Sequence, residues 1–514
     1  MFVPIGEWLP DQPEFQNPGA GTISNVYPRT QESYGPVQGL SSILTALTAR
    51  CQGAKGLRDS SGNGFVFAGD ATKLYNAGSG ASAWSNVSGA TYAIGADEFW
   101  NFAQFGDNVI ASNIDDGAQS FTLNSSVTFG ALSASAPKWR YAAVARDFLL
   151  TGNINDTTSN GDGLRPQRVW WPAIGDPTNW PAPGSSSAVQ VQSDFQDIAG
   201  DQGWLTGIVP NLGPVDWAIF FERAVFRAMY VGAPDIIGFY PAHGLRGCVA
   251  PGSIAQTEAG AIYLGPDDFY LFDGQNSVGI GYGKIAKTFY ADVNQTYLGR
   301  ITSTVDPVNK LYWVAYPSGA SSDGTCDTIL VCAYGLSSVL GTPGKWAKVT
   351  GISTEFLLRA VTFGFTLDTL DNISTSIDAL QFSLDSRIWA GGGQELLAAF
   401  DTSHTLNYFS GSNLAVTVET SEFEPRPGRR ASIIRARPIT DGGSPTLAPF
   451  VRNRLQDTAA ATTASTVNGD GYSFFKDEEG RYHRHRITIP AASALSHIQG
   501  VDIGADDIVE TGER

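Results

Sequence analysis

Tyr141-Ala-Ala-Val-Ala-Arg-Asp147 runs straight into Phe148-Leu-Leu150: an apolar strand, a turn carrying Asp, then a second apolar strand. The same order occurs at Phe65-Val-Phe-Ala-Gly-Asp70 before Leu74-Tyr75, and at Asn101-Phe-Ala-Gln-Phe-Gly-Asp107 before Val109-Ile-Ala111. The three Asp positions lie 37 and 40 residues apart. Each unit reads as a β-hairpin, because Gly and Asp supply the turn between runs of strand-forming residues. Hairpins recurring at this period predict the four-stranded blades of a β-propeller. Weaker copies follow. Trp217-Ala-Ile-Phe-Phe221 turns at Glu222-Arg223, and Ala261-Ile-Tyr-Leu264 turns at Gly265-Pro-Asp-Asp268 into Phe269-Tyr-Leu-Phe272. Leu311-Tyr-Trp-Val314, Thr328-Ile-Leu-Val-Cys332 and Leu380-Gln-Phe-Ser-Leu384, with its turn at Asp385-Ser-Arg387 into Ile388-Trp389, complete the series. The count fits six or seven blades, while the drifting spacing leaves a sandwich or a pair of barrels open.

Composition points the same way. The 514 residues include 58 Gly and 27 Pro with only 16% charged residues, as expected of many short strands joined by turns. A chain of this length exceeds one ordinary core, so an all-β body with a smaller module is expected. We place an extended N-terminal arm and lead-in at 1–60, a β-propeller-like body at 61–400 and a β-sandwich-like module at 401–514. The arm is rich in Pro, and X-Pro steps favour extended backbone; it reads either as an arm pinned by Trp8, Phe15 and Tyr27 or as a poorly ordered terminus. Leu40 to Arg50 reads as either a helix or a buried strand. No basic leader and no apolar run of membrane-spanning length occurs, so a soluble protein is expected. Cys51, Cys248, Cys326 and Cys332 lack metal-ligand or redox spacing and read as buried free thiols.

The formal net charge is −17. The first 400 residues carry 21 basic and 35 acidic side chains, net −14, against 12 and 15 in the remainder. Such a body repels a phosphate backbone and excludes duplex binding by charge neutralisation. Arginine is dense in one place, Arg426, Arg429, Arg430, Arg435 and Arg437, between Glu419 and Arg454. Guanidinium forks there would dock an acidic neighbour, or form a solvated face neutralised by Glu422 and Glu424. Tyr482 to Ile489 alternates, with His483, His485, Ile487 and Ile489 on one face. The two His are a metal pair lacking a third local ligand or the border of a sandwich core. Asn155, Asp156, Asn160 and Asp162, between Gly152 and Pro166, offer oxygens without the order of a calcium loop, and a mobile surface loop is the expectation. No metal or cofactor is expected.

Arg168-Val-Trp-Trp-Pro-Ala-Ile-Gly-Asp-Pro-Thr-Asn-Trp180 has its own logic. A strand ending in Trp170 and Trp171 meets a turn of Gly175, Asp176 and Pro177, and Trp180 then folds back as an aromatic anchor. This stretch resembles the signature segment of the tail-nozzle, or packaged-DNA-stabilisation, proteins of short-tailed bacteriophages. Phe220 to Asp273 and Gly480 to Ile503 resemble the central and C-terminal parts of the same family. The resemblance implies a structural virion protein of the tail, assembled in the host bacterial cytoplasm. It implies a homo-oligomeric ring, a hexamer, below the portal, touching the adaptor or connector, a tail spike or fibre, and a plug or needle. Packaged double-stranded DNA would be retained and then conducted through that ring without sequence-specific binding.

No phosphate-binding loop, His-Glu-x-x-His or Gly-x-Ser-x-Gly is present. A propeller that binds or degrades glycans is the alternative, with Trp84, Trp100 or Trp204 stacking on sugars and Asp267 or Asp268 paired with Asp385. Ser321-Ser-Asp-Gly-Thr325 reads as a turn.

Overall fold

The computed structural model describes the chain except residues 15–16, 79, 159–160, 244–245, 363–372, 375, 377–379, 381–388, 390–393, 477 and 513–514. The fold is all-β, and the α-helices among the described residues are two short ones, Ser186–Val191 and Ala286–Asp292. Six four-stranded antiparallel meanders follow one another. Their first strands are Ala54–Arg58, Asn101–Phe105, Lys138–Ala145, Leu205–Leu212, Ala255–Thr257 and Thr302–Asp306. The sixth meander ends in the 19-residue strand Pro343–Val361, whose first part pairs with Cys326–Ser337. From Thr354 the same strand continues the sheet, pairing with Glu395–Asp401, then Leu406–Asn413, then Gln38–Ser42.

First strands pack side by side around the body. Ala54–Arg58 lies on Asn101–Phe105, that on Lys138–Ala145, and that on Leu205–Leu212. Ala255–Thr257 lies on Thr302–Asp306, which lies on Pro343–Val361, and this last strand returns to Ala54–Arg58. The body is propeller-like: among the described residues five meanders are separate four-stranded sheets, and the sixth and its continuation belong to one larger sheet. The last contact is close: a Cβ on Gly56 would sit 2.7 Å from the Arg359 carbonyl oxygen, so only Gly allows the two backbones to approach. Between sheets, Phe148, Trp171, Trp217 and Phe221 fill one core, and Phe67, Phe102, Phe121 and Phe129 another.

The repeat was legible, but its phase was not uniform. Asp107 and Asp147 turn between the first and second strands of their sheets, whereas Asp70 turns between the second and third. The hairpins at Trp217 and Ala261 share the phase of Asp70. A hairpin is the same local object wherever it sits in a meander, so sequence spacing alone mixed two turn positions. The copy proposed at 380–389 falls mostly outside the described residues. Leu40 to Arg50 is no helix: the edge strand Gln38–Ser42 leads into irregular chain that buries Ile43, Leu44 and Leu47.

The C-terminal strands form two facing layers. One runs Val416–Glu419, Tyr482–Ile489, Thr446–Arg452. The other runs Tyr34–Pro36, Ile498–Asp502, Arg435–Thr440, Ser473–Phe474, with Phe2–Pro4 also on Ile498–Asp502. Val3, Ile5, Val26, Val418, Ile433, Leu447, Ile487, Ile498 and Val501 fill the space between, and the same core continues to Phe269, Tyr312 and Trp346 of the body. The N-terminal segment therefore belongs to both parts: Ile23–Ser24 joins Val416–Glu419 to the long strand at Lys348. Trp8 is buried, its Nε1 donating to the Gly21 carbonyl, and Tyr27 is half-buried; Phe15 lies outside the described residues.

Candidate functional site

At the Gly-Asp-Pro turn, Trp170, Trp171 and Trp180 are all buried. Trp180 stacks on Trp139 with centroids 5.4 Å apart and meets Trp170 edge-on at 6.2 Å. Its Nε1 donates to the Pro177 carbonyl at 2.8 Å. Trp171 faces the opposite side of the strand, among the residues shared with the fourth sheet, with Nε1 donating to Gln192 O at 2.9 Å. Gly175 has φ +75°, a region costly for a side chain, and Asp176 Oδ1 accepts from the Thr178 amide at 3.0 Å. The indoles are consumed by the core, while Ile174, Gly175 and Asp176 form the exposed tip.

Arg168, at the start of that stretch, is almost fully buried. It is held by Asp162 at 2.6 Å and Asp197 at 2.6 Å, with its guanidinium 4.0 Å from the Phe195 ring centroid. The Arg168 hydrogen bonds hold the Asp197 carboxyl below the usual carboxylate range. The two ends of the region expected to be a mobile acidic loop instead continue this hairpin, Phe148–Asp156 on Gly163–Trp171, with Asp156 opposite Gly163. Asp162 is committed to Arg168, Asp156 accepts from Thr158, and Asn160 lies outside the described residues.

The arginine segment divides. Arg429 pairs with Glu510, Arg430 with Glu479 at 3.1 Å, and Arg435 with Asp507 at 2.7 Å while covering the Tyr472 ring. Those three are used within the module. Arg426 and Arg437 are exposed, and neither has an ion pair among the described residues. Chain order could not separate the two classes, because the acidic partners come from 70 and more residues downstream for two of the three.

His483 and His485 point into the module core, as the alternation predicted, and both are fully buried. Glu478, also fully buried, places Oε1 3.3 Å from His483 Nδ1 and 3.1 Å from His485 Nε2. The Gly480 carbonyl lies 2.9 Å from His483 Nε2 and can only accept, so that nitrogen carries a proton. Burial pushes the Glu478 carboxyl up to about 7 and the His485 imidazole down to about 3. Among the described residues no group of three or more His, Cys, Asp or Glu side chains is arranged to hold a metal ion. Glu478 was missed by sequence reasoning; it precedes the strand and carries no periodic signal.

A cavity of about 390 Å³ opens among the first strands of the sheets. Phe99, Ile208, Ile254 and Phe356 give it apolar walls. Arg140 grips Glu98 through two bonds of 2.6 and 3.0 Å at its border, and Arg300 meets Asp97 at 2.8 Å. Trp204 is exposed, with the Arg140 guanidinium 5.7 Å from its ring centroid. Trp100, offered above as a sugar platform, is instead buried and donates Nε1 to Asp70 O; Trp84 is half-buried against Phe400. A large aromatic between glycine-rich turns reads alike in sequence whether the next sheet covers it or not.

The carboxylates considered for glycan chemistry have structural partners. Asp267 accepts from the Tyr270 hydroxyl at 2.7 Å, and Asp268 accepts from the Phe269 and Gly281 amides. Burial pushes Asp268 up to about 6. Asp385 lies outside the described residues. All four cysteines are free and buried. Cys326 and Cys332 share one strand, yet a register shift between Cys326 and Thr328 sends them into different cores. Asp323 accepts from the Thr325 amide, making the 321–325 stretch a turn. No helix among the described residues is long and apolar enough to cross a membrane. No protein-family model matches this chain, and no curated protein matches it.

Proposed function

We propose that this chain is a structural virion protein: a subunit of a ring-shaped tail nozzle below the portal and adaptor of a short-tailed phage. In that role it retains packaged DNA and conducts it during ejection, with spike or fibre and a plug or needle as further neighbours. The reading rests on the sequence resemblance together with one observation, the distribution of charge on a stiff body. Fifty acidic residues face 33 basic ones, and no Lys or Arg occurs between Arg168 and Arg223. An acidic wall repels a phosphate backbone, so DNA slides past it without being held. The shared core between body and module, laced by the N-terminal strands, gives such a wall the rigidity to resist internal pressure.

The role is mechanical and electrostatic rather than catalytic. The direct test is electron microscopy of the native particle that carries the chain, averaged down its symmetry axis. A hollow ring of repeated subunits under a phage head is the expected image; isolated peripheral lobes would refute the nozzle reading. A second reading, a glycan-binding or glycan-degrading tail protein, draws support from exposed Trp204 beside Arg140 at the border of the 390 Å³ cavity. It predicts that host polysaccharide binds the isolated chain and that Trp204→Ala abolishes the binding.

A further inference from the structure

The outer layer of the C-terminal module has one buried face and one uncovered face. Val3, Val501, Pro438, Ala436 and Ser473 point inward. Outward, the register lines up Phe2 with Asp502 and Asp502 with Arg437, and sets Arg435 opposite Phe474. Residues directly opposite on paired strands share a face, so Phe2, Arg437, Arg435 and Phe474 form one surface. Ile434 and Val509 adjoin it, and Phe2, Ile434, Phe474 and Val509 are each more than two-fifths exposed. The stretch Pro425 to Thr440 contains five Arg and no acidic residue. Glu510, Glu479 and Asp507 neutralise three of these Arg and Asp502 lies opposite Arg437, so Arg437 is the cation on this apolar surface without an ion pair among the described residues.

An opposite corner exists on the body. The Gly-Asp-Pro tip lies against the end of helix Ser186–Val191, where the Ile174 amide donates to Val191 O, and the adjoining Gln192 reaches Tyr230. There Ile174, Val189 and Val231 are exposed among Asp176 and Asp235; Arg146 stands at the same corner, neutralised by Asp216, which also accepts from the Tyr230 amide. Exposed apolar residues with complementary charge mark association surfaces.

We propose that the apolar face of the module, with Arg437, docks onto the acidic apolar corner of a second copy of this chain. The two surfaces differ, so the contact is heterologous, head to tail, and such contacts generate closed rings when the rotation closes. The inference rests on the ring-building role proposed above and supplies its subunit contact.

The test uses the full chain. Asp235→Cys and Arg437→Cys are made as separate variants; the four native thiols are buried and stay silent toward a short bis-maleimide. Cross-linked dimer is expected when the two variants are mixed and not when either is alone. Arg437→Glu is expected to weaken self-association at least tenfold, and combining it with Asp176→Lys and Asp235→Lys on the second copy to restore it. Arg437 has no ion pair among the described residues, so an unchanged melting curve checks that the fold survives. Absence of the mixed cross-link, association indifferent to Arg437→Glu, or a monomer at every concentration would each overturn the contact. A ring seen in native particles together with any of these results would leave the nozzle reading standing with a different interface.

Discussion

Replacing Trp180 with Ala removes the residue that closes the Gly-Asp-Pro turn onto the third sheet. Its indole is 5% exposed, stacked on Trp139 and edge-on to Trp170, with Nε1 bonded to Pro177 O. Large-to-small substitution at a buried Trp costs about 3–5 kcal/mol, of which the aromatic pairs supply about 0.5–1.5 each and the hydrogen bond about 1. The turn limits relaxation, since Ala173 N donates to Asn179 O and Gly175 N to Asp147 O, holding the backbone open around the vacated space. We therefore expect Trp180→Ala to cost about 4 kcal/mol. Trp180→Phe, which keeps most ring contact and loses the N–H, should cost about 1–2 kcal/mol. Urea unfolding read by near-ultraviolet circular dichroism measures both, with unchanged slopes confirming that only stability moved. Amide exchange should quicken first in 139–180, the segment that the indole ties together. A loss below about 1 kcal/mol for Trp180→Ala, or equal losses for the two variants, would refute the anchor reasoning.

The Glu478 cluster makes stability pH-dependent in a defined way. His485 has a folded pKa depressed to about 3 from 6.5, so the folded state resists protonation and stability is lost as pH falls below 6.5. Glu478 is raised to about 7 from 4.5, so its contribution is present below 4.5 and lost as pH rises through 7. The two slopes oppose one another between 4.5 and 6.5, and the acid limb emerges below. His485→Leu should gain on the parent by about 1.4 kcal/mol per pH unit as pH falls below 6.5, and a pH-independent difference in melting would contradict this. Arg168→Met should cost about 1–3 kcal/mol by removing the charge-assisted bonds to Asp162 and Asp197, whose carboxylates reach solvent, so changing both Asp to Asn as well should recover little of it; denaturant midpoints decide. Arg429→Glu with Arg430→Glu breaks two surface pairs worth at most about 1 kcal/mol each, so the fold should survive, and electron micrographs of particles lacking this subunit would tie the segment to assembly.

The sequence by itself determined the class of fold. Apolar runs of strand length, punctuated by Asp- and Gly-bearing turns, specify antiparallel hairpins, because the turn chemistry and the period of two are local properties. The faces of local elements were legible for the same reason: His483 and His485 fell inward with Ile487 and Ile489, and Trp180 returned to Trp170 across a turn that only Gly-Asp-Pro chemistry makes. Tertiary structure decided everything that depends on pairing over long separations. Gln38–Ser42 completes a sheet with strands near 400, and Phe2–Pro4 and Ile23–Ser24 pair with strands of the C-terminal module, because an edge strand takes whichever partner satisfies its hydrogen bonds. Glu478 joined the two His, and Glu479, Asp507 and Glu510 claimed three of the five arginines, leaving Arg437 beside Phe2 and Phe474 on an open face. Charge type is written in the chain, but which charges are neutralised depends on which strands lie opposite, and that is settled only when the sheets close.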